Sequence, residues 1–232
     1  YVFNSVPLPI ENNDDNLWQH FCGIEIETKS NIFDDTIINL MDFDCDQGES
    51  VHFFYTLPYS KNKALVETTW LSKMSNNEKN YDKQLQNYIE TNLKIKNYKI
   101  VYKELGAIPL FYPSSTNKNK NINIGTAGGM TRLSTGYTFL NIQEHSKYIR
   151  ENIENISRLE NYEISKKYQF LDKIFLRVLR KHPEKMPDIF FKMFKTSPNT
   201  VIKFLSNKSN FLEDLTIIFK MPKWIFIKAL FK

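Results

Sequence analysis

The sequence predicts an α+β chain: an antiparallel sheet carrying one helix, followed by a helical C-terminal part. Three observations carry this expectation. Strand-like runs succeed one another between residues 21 and 71, too closely for the long crossovers that parallel strands need. An amphipathic helical pattern covers 76–94. From 166 onward, apolar and basic residues recur at helical spacing.

The elements follow in order. "FCGIEIET" alternates apolar with polar from Cys22 onward, as a half-buried strand does. "IINLMDFD" reads as a buried strand ending in acids at Asp42 and Asp44. "HFFYTLPYSKNKALVETTWLS" (52–72) reads as two strands folded about a polar loop. Glu67 stands in the middle of the second strand, among apolar and β-branched neighbours, where a carboxylate needs a reason. In 76–94, Tyr81, Leu85, Tyr88, Ile89 and Leu93 share one helical face. "YKIVYKELGAIPLF" returns as a strand interrupted by Gly106 and Pro109, and "PSSTNKNKN" (113–121) is a turn-rich loop.

A short apolar strand then runs into Gly125, Gly128 and Gly129, next into Ser134-Thr135-Gly136, and then into an amphipathic helix. Glycines let a ligand approach the backbone, Ser134 is the expected helix cap, and a helix N-terminus suits an anion. This turn is not the dinucleotide fingerprint G-x-G-x-x-G, which occurs nowhere in the chain.

Composition sets the outer bounds. A chain of 232 residues with 41% hydrophobic and 25% charged residues can bury a sizeable core. Cys22 and Cys45 lack metal-ligand spacing and are expected as reduced thiols. His20, His52, His145 and His182 form no metal-like cluster, and none is given a metal role. No apolar run reaches the roughly 18 residues of a spanning helix, so membrane contact is expected to be peripheral. The opening "YVFNSVPLPI" has neither Met nor a signal-peptide pattern, as expected of a segment entered in mid-protein.

Charge is unevenly placed. Residues 166–232 hold 15 Lys/Arg against 5 Asp/Glu, whereas the rest of the chain is net acidic. Stretches such as "MPKWIFIKALFK" interleave lysines with Trp, Phe and Ile, a combination that suits an anionic bilayer surface. Basic and aromatic residues also bind single-stranded nucleic acid. The aliphatic stripes here are of no use to backbone phosphates, so no nucleic acid is expected. A helical subdomain with solvated lysines accounts for the same pattern.

The ordered series "QHFCGIEIET", "LMDFD", "FFYTLPYSKNKALVETTW", "KELGAIPL" and "GTAGGMTRLSTGYTF", followed by a basic tail with "FFKMF" and "IKFL", resembles the bacterial lycopene β-cyclase family. Those flavoproteins close β-ionone rings on a linear carotenoid. The resemblance spans nearly the whole chain. It implies part of an aromatic-hydroxylase-like FAD/NAD(P)-binding fold, without the N-terminal fingerprint strand-turn-helix. Residues 1–112 would be the substrate-side sheet region with one amphipathic helix. Residues 122–160 would be the returning part of the FAD-binding unit, and 161–232 the basic helical region. The family usually places a proline before Ser/Thr-Thr-Gly-Tyr, where this chain has Leu133.

Site roles follow from the same resemblance. Glu67 matches the family's essential carboxylate in "L-[VI]-E-[TD]-T", and Glu104 matches "E-x-G-x-[IL]-P" but also suits a structural turn. Asp42 and Asp44 would orient the flavin or the polyene, or cap their strand. Phe53, Phe54, Tyr55 and Trp70 could stabilise a cation through their ring faces. Gly125, Gly128, Gly129, Thr135, Gly136 and Tyr137 would lie along the flavin ring and ribityl chain.

The implied cofactors are FAD in its reduced form and NAD(P)H as reductant. The implied partners are lycopene and other linear carotenoids, together with other carotenoid-pathway enzymes. The expected place is the cytoplasmic face of the inner membrane. Two rival functions stand beside the cyclase: a flavin-dependent monooxygenase or oxidoreductase on the same scaffold, and an inactive carotenoid- or membrane-binding fragment.

Overall fold

The computed structural model describes residues 2–6, 16–73, 80–112, 121–155, 159, 162 and 164–231. All but the last residue of the loop expected at 113–121, and the first residues of the helix expected at 76–94, lie outside this set. The chain divides into two compact units. One is Asp15–Ile108; the other joins Tyr1–Asp14 to Pro109–Lys232. The glycine-rich segment and the basic helices therefore belong to one unit, and the first residues join them.

Unit Asp15–Ile108 is a five-stranded sheet with one helix. Its strands are β2 (Leu17–Glu27), β3 (Asn39–Asp42), β4 (Val51–Ser60), β5 (Lys63–Lys73) and β6 (Lys99–Pro109), in spatial order β3-β4-β5-β2-β6. β2 with β5, β4 with β5 and β3 with β4 all pair antiparallel. The β4–β5 hairpin expected from 52–72 is present, as is the α+β character of the unit. Helix α1 (Tyr81–Thr91) begins where the Asn80 side chain accepts a hydrogen bond from the Lys83 N–H at 3.0 Å, a standard N-cap.

The expected helical face is the one that packs. Leu85, Tyr88 and Ile89 meet Cys22, Ile24, Ile26, Phe54 and Val66 in one buried cluster, with Tyr81 and Leu93 at its edge. Because strand residues alternate faces, this cluster uses only one side of the sheet. Fully burying each aliphatic side chain there contributes about 1.5–3 kcal/mol.

Two strand expectations need correction. "IINLMDFD" is not buried: Ile37 and Ile38 are each 58% exposed, and β3 is an edge strand with a register break between Asn39 and Asp42. An edge strand has a single neighbour, so its apolar residues need not be inside. β6 is continuous through Gly106 rather than interrupted there. The Phe21 ring occupies the space a Cβ would need, at 2.4 Å, so the glycine serves side-chain packing from β2 and no bend. Pro109 closes β6, which is the other edge of the sheet.

The second unit starts with β1 (Val2–Asn4), paired parallel to β7 (Asn121–Asn123). After a glycine-rich turn comes α2 (Phe139–Asn152). The basic region then folds as α3 (Lys166–Lys181), α4 (Met186–Phe194), α5 (Pro198–Leu205), α6 (Phe211–Lys220) and α7 (Lys223–Leu230). Prolines open α4 and α5, where a missing N–H costs nothing. Asn210 and Glu213 form a reciprocal capping box at the start of α6. Among the described residues, no helix is long and apolar enough to cross a membrane. Met186, Phe190, Met193 and Phe204 are core, whereas Phe170, Phe191, Phe211, Phe219 and Phe231 are exposed.

Candidate active site

Alternation along β5 sends Val66, Thr68 and Trp70 toward α1, and Leu65, Glu67 and Thr69 to the opposite face. Glu67 is therefore not in the helix-side core. It is half-buried, and the Thr69 hydroxyl donates to its Oε1 at 2.6 Å. In register with Glu67 lie Tyr55 on β4 and Gly23 on β2. Beyond Gly23 comes Glu104 of β6: a Cβ on Gly23 would meet Glu104 Oε1 at 3.0 Å and its Cγ at 3.1 Å. The row across the sheet thus runs Tyr55, Glu67, bare backbone, Glu104.

Electrostatics follow from this row. Loss of hydration pushes the Glu67 carboxyl up from its ordinary 4.5 to about 7, the Glu104 carboxylate adds to the rise, and the Thr69 hydrogen bond opposes it. Burial, and then the neighbouring Glu67, push the Tyr55 phenol well above its usual range. Near neutrality the row can therefore hold a proton on Glu67 beside a neutral phenol. A carboxyl poised at that value is equipped to give and retake a proton.

Asp42 is not brought to this row. It registers with Phe54 on the helix-covered side, where the Tyr88 hydroxyl donates to its Oδ2 at 2.6 Å and the Asp44 N–H to its Oδ1 at 3.0 Å. Met41, at φ +57°, and the adjoining register break turn the strand so that Asp42 ties the sheet edge to α1. Asp44 is exposed.

The four candidate aromatics divide the same way. Phe53 and Tyr55 share the Glu67 face, whereas Phe54 stacks on Tyr88 at 4.0 Å and Trp70 on His52 at 3.9 Å. His52 also reaches Thr68, and His20 reaches Tyr81 and Ser72, so both have structural partners. Among the described residues no cluster could hold a metal ion.

The glycine-rich turn lies in the other unit. Gly125, Gly129 and Gly136 have φ of +57°, +75° and +70°, which side chains rarely adopt. Gly128 is glycine because a Cβ would lie 2.7 Å from the Asn123 carbonyl. The turn is tied by Met130 N–H to Gly125 O and by Gly136 N–H to Arg132 O, while the Tyr137 N–H reaches the half-buried Thr135 hydroxyl at 3.4 Å. A Cβ added at Gly125 would touch Ile142 and Ser5 at 3.9–4.0 Å, and one added at the buried Gly129 would touch Tyr112 at 3.7 Å, so both positions already have van der Waals neighbours. The left-handed backbone at three glycines and the carbonyl beside Gly128 are therefore what require glycine in this turn. Ser134 does not cap α2. Thr138 is at the N-cap position, and Ser134 is buried with its hydroxyl unpartnered.

Arg132 and Asp172 were not anticipated. The Arg132 guanidinium is 1% exposed; it donates to Asp172 Oδ1 through Nη2 at 2.8 Å and to the Phe204 carbonyl through Nη1 at 2.8 Å. Its plane also lies over the rings of Tyr168 and Phe204. The other Asp172 oxygen accepts the Leu133 N–H at 3.1 Å. A proline at 133 could not donate this bond. The leucine that departs from the family pattern thus joins the turn to α3. An arginine inside an apolar-flanked glycine segment was the available signal.

Fold and site together define an α+β protein with a half-buried carboxylate, pushed up in pKa, on one sheet face and a turn that requires glycine. The family model described as lycopene cyclase protein matches residues 1–230, and the chain belongs to that family. No curated protein sequence matches it. Among solved structures, a geranylgeranyl bacteriochlorophyll reductase-like protein from Thermoplasma acidophilum is similar at 12% identity and TM-score 0.45, covering 95% of this chain and 56% of that one. The tetracycline destructase Tet(51) is similar at 10% identity and TM-score 0.38, covering 94% of this chain and 56% of that one. The chain thus spans little more than half the length of these solved proteins.

Proposed function

We propose that the chain carries the proton-transfer site of a lycopene β-cyclase, with Glu67 as the acid. The supporting observation is the half-buried Glu67 carboxyl, pushed up to about 7 and set across bare Gly23 from Glu104. The reaction is an isomerisation without net electron transfer. A proton from Glu67 adds to the terminal double bond of the linear carotenoid, and a neighbouring double bond attacks the resulting cation. Glu104 accepts the ring proton whose loss leaves the β-ionone ring. The missing side chain at Gly23 leaves a direct path for that proton to return to Glu67. Phe53 and Tyr55 offer ring faces to the cation, and a Tyr55 phenol held neutral adds no competing anion.

Asp42 is left out of this chemistry, since its two oxygens already hold Tyr88 and the Asp44 amide. Gly125, Gly128, Gly129, Thr135, Gly136 and Tyr137 are the residues proposed to hold FAD, reduced by NAD(P)H. When bound, reduced FAD would supply electron density that stabilises a cation. Peripheral attachment to a membrane through the basic helices completes the proposal, because the carotenoid resides in lipid.

The test is Glu67→Gln in the full chain supplied with lycopene, reduced FAD and lipid, with products separated by chromatography. The reading requires loss of β-ring product with folding intact, and cyclisation by the wild type without stoichiometric NAD(P)H consumption. Product formed by the Gln variant at the wild-type rate would remove Glu67 from the mechanism, and matched NAD(P)H consumption would make the protein an oxidoreductase.

A further inference from the structure

The C-terminal helices enclose an apolar pocket that the cyclisation chemistry does not use. Ile174, Phe175, Ile217, Met221, Phe226 and Ile227 contribute to its walls from α3, α6 and α7, and its volume is about 320 Å³. That lies within the roughly 300–1,000 Å³ of small-molecule sites. Its lining contains one charged residue, Lys223, and no carboxylate. Two large side chains next to the lining face outward: Trp224 is 76% exposed and Phe231 84%.

Charge around the pocket is one-sided. Four of the five acids in 166–231 already face a cation, Asp172 with Arg132, Asp188 with Lys192, Glu213 with Lys203 and Asp214 with Lys167, and the fifth, Glu184, lies 3.6 Å from the His182 ring. Lys223 lines the pocket, Lys220 and Lys228 are adjacent in sequence to lining residues, and none of the three has a carboxylate partner among the described residues. An apolar cavity with surplus lysines calls for a ligand with an apolar chain and an anionic head. An uncharged polyene would leave the lysines without a counter-charge.

We propose that this pocket takes one acyl chain of an anionic phospholipid, with the head group held by Lys223 and its neighbouring lysines. The exposed Trp224 and Phe231 then rest among surrounding lipids, in the manner of an interfacial helix. The site deepens the proposed membrane attachment and is independent of the Glu67 chemistry. Glu67→Gln must accordingly bind vesicles as the wild type does, so either reading can fail alone.

The experiment is co-sedimentation of the full chain with phosphatidylglycerol vesicles and with phosphatidylcholine vesicles. Ile227→Lys adds a cation while placing it in the apolar lining. Attraction by charge alone predicts unchanged or tighter binding to phosphatidylglycerol, whereas occupation of the pocket predicts at least a ten-fold loss. Ile202→Lys, at an exposed position outside the lining, should bind as the wild type does. Should Ile227→Lys lose its helical circular-dichroism signal, Lys223→Glu serves instead, with the same ten-fold loss expected on phosphatidylglycerol. Equal binding to the two vesicle types, or wild-type binding by a folded Ile227→Lys, overturns the proposal. So does retention of lycopene in neutral detergent by the wild type but not by Ile227→Lys, which would make the pocket a polyene site.

Discussion

The two faces of the five-stranded sheet contain similar residue types and put them to different uses. On the face covered by α1, the acid and both histidines are paired off: Asp42 with Tyr88, His52 with Thr68, His20 with Tyr81 and Ser72. On the opposite face Glu67 keeps a raised affinity for its proton, with a second carboxylate one glycine away. A fully hydrogen-bonded polar group stabilises a fold and has little left to offer a substrate. The difference teaches that burial combined with incomplete pairing, rather than burial alone, marks the reactive side.

Breaking the comparison begins with the largest effect. Glu67→Gln should reduce β-ring formation by at least about 10³-fold, within the usual span for a general acid or beyond it, with little change in unfolding midpoint. Product chromatography and denaturant titration of the same preparation check both halves. On the other face the expected pattern is inverted. Ile89→Ala empties a fully buried position against the sheet and should cost about 2–5 kcal/mol of stability in urea unfolding. Protein that remains folded should cyclise at close to the wild-type rate.

Smaller changes sharpen the contrast. Gly23→Ala puts a methyl 3.0 Å from Glu104 Oε1 and 3.2 Å from Leu65, so the two carboxyl groups are driven apart. Misplacing a reacting group by about 1 Å can cost up to 10²-fold, and steady-state rates should fall by about 10-fold or more. Glu104→Gln removes the smaller of the two causes that raise Glu67, leaving desolvation, the larger, in place. The Glu67 titration followed by carboxyl NMR should then move down part of the way from about 7 and stay above 4.5.

The weakest effect is on stability against pH. Between 4.5 and about 7 the folded protein keeps a proton on Glu67 that the unfolded chain has released. This contribution is fully present below 4.5 and is lost as pH rises through 7, so stability declines across that window. The Gln variant should show a shallower decline over the same range.

Much of this was legible in residue order. Period-two alternation over 21–28 and 52–72 and the apolar stripe at Tyr81, Leu85, Tyr88 and Ile89 dictate strands, hairpin and helix, because spacing alone decides which side chains share a face. The motif around Glu67 singled out that carboxylate, and the residues of the glycine turn do require glycine. Sequence could not say that Asp42 and Glu67 would be on opposite faces. That was settled by an edge bulge at Met41, a detail of strand pairing. Nor could it say that Gly23 would stand between Glu67 and Glu104, since the register across β5, β2 and β6 joins residues far apart in the chain. The Arg132–Asp172 pair, 40 positions apart, likewise exists only because helix packing removes both charges from water together. Local pattern fixes the elements, and long-range register and packing decide which of their side chains meet.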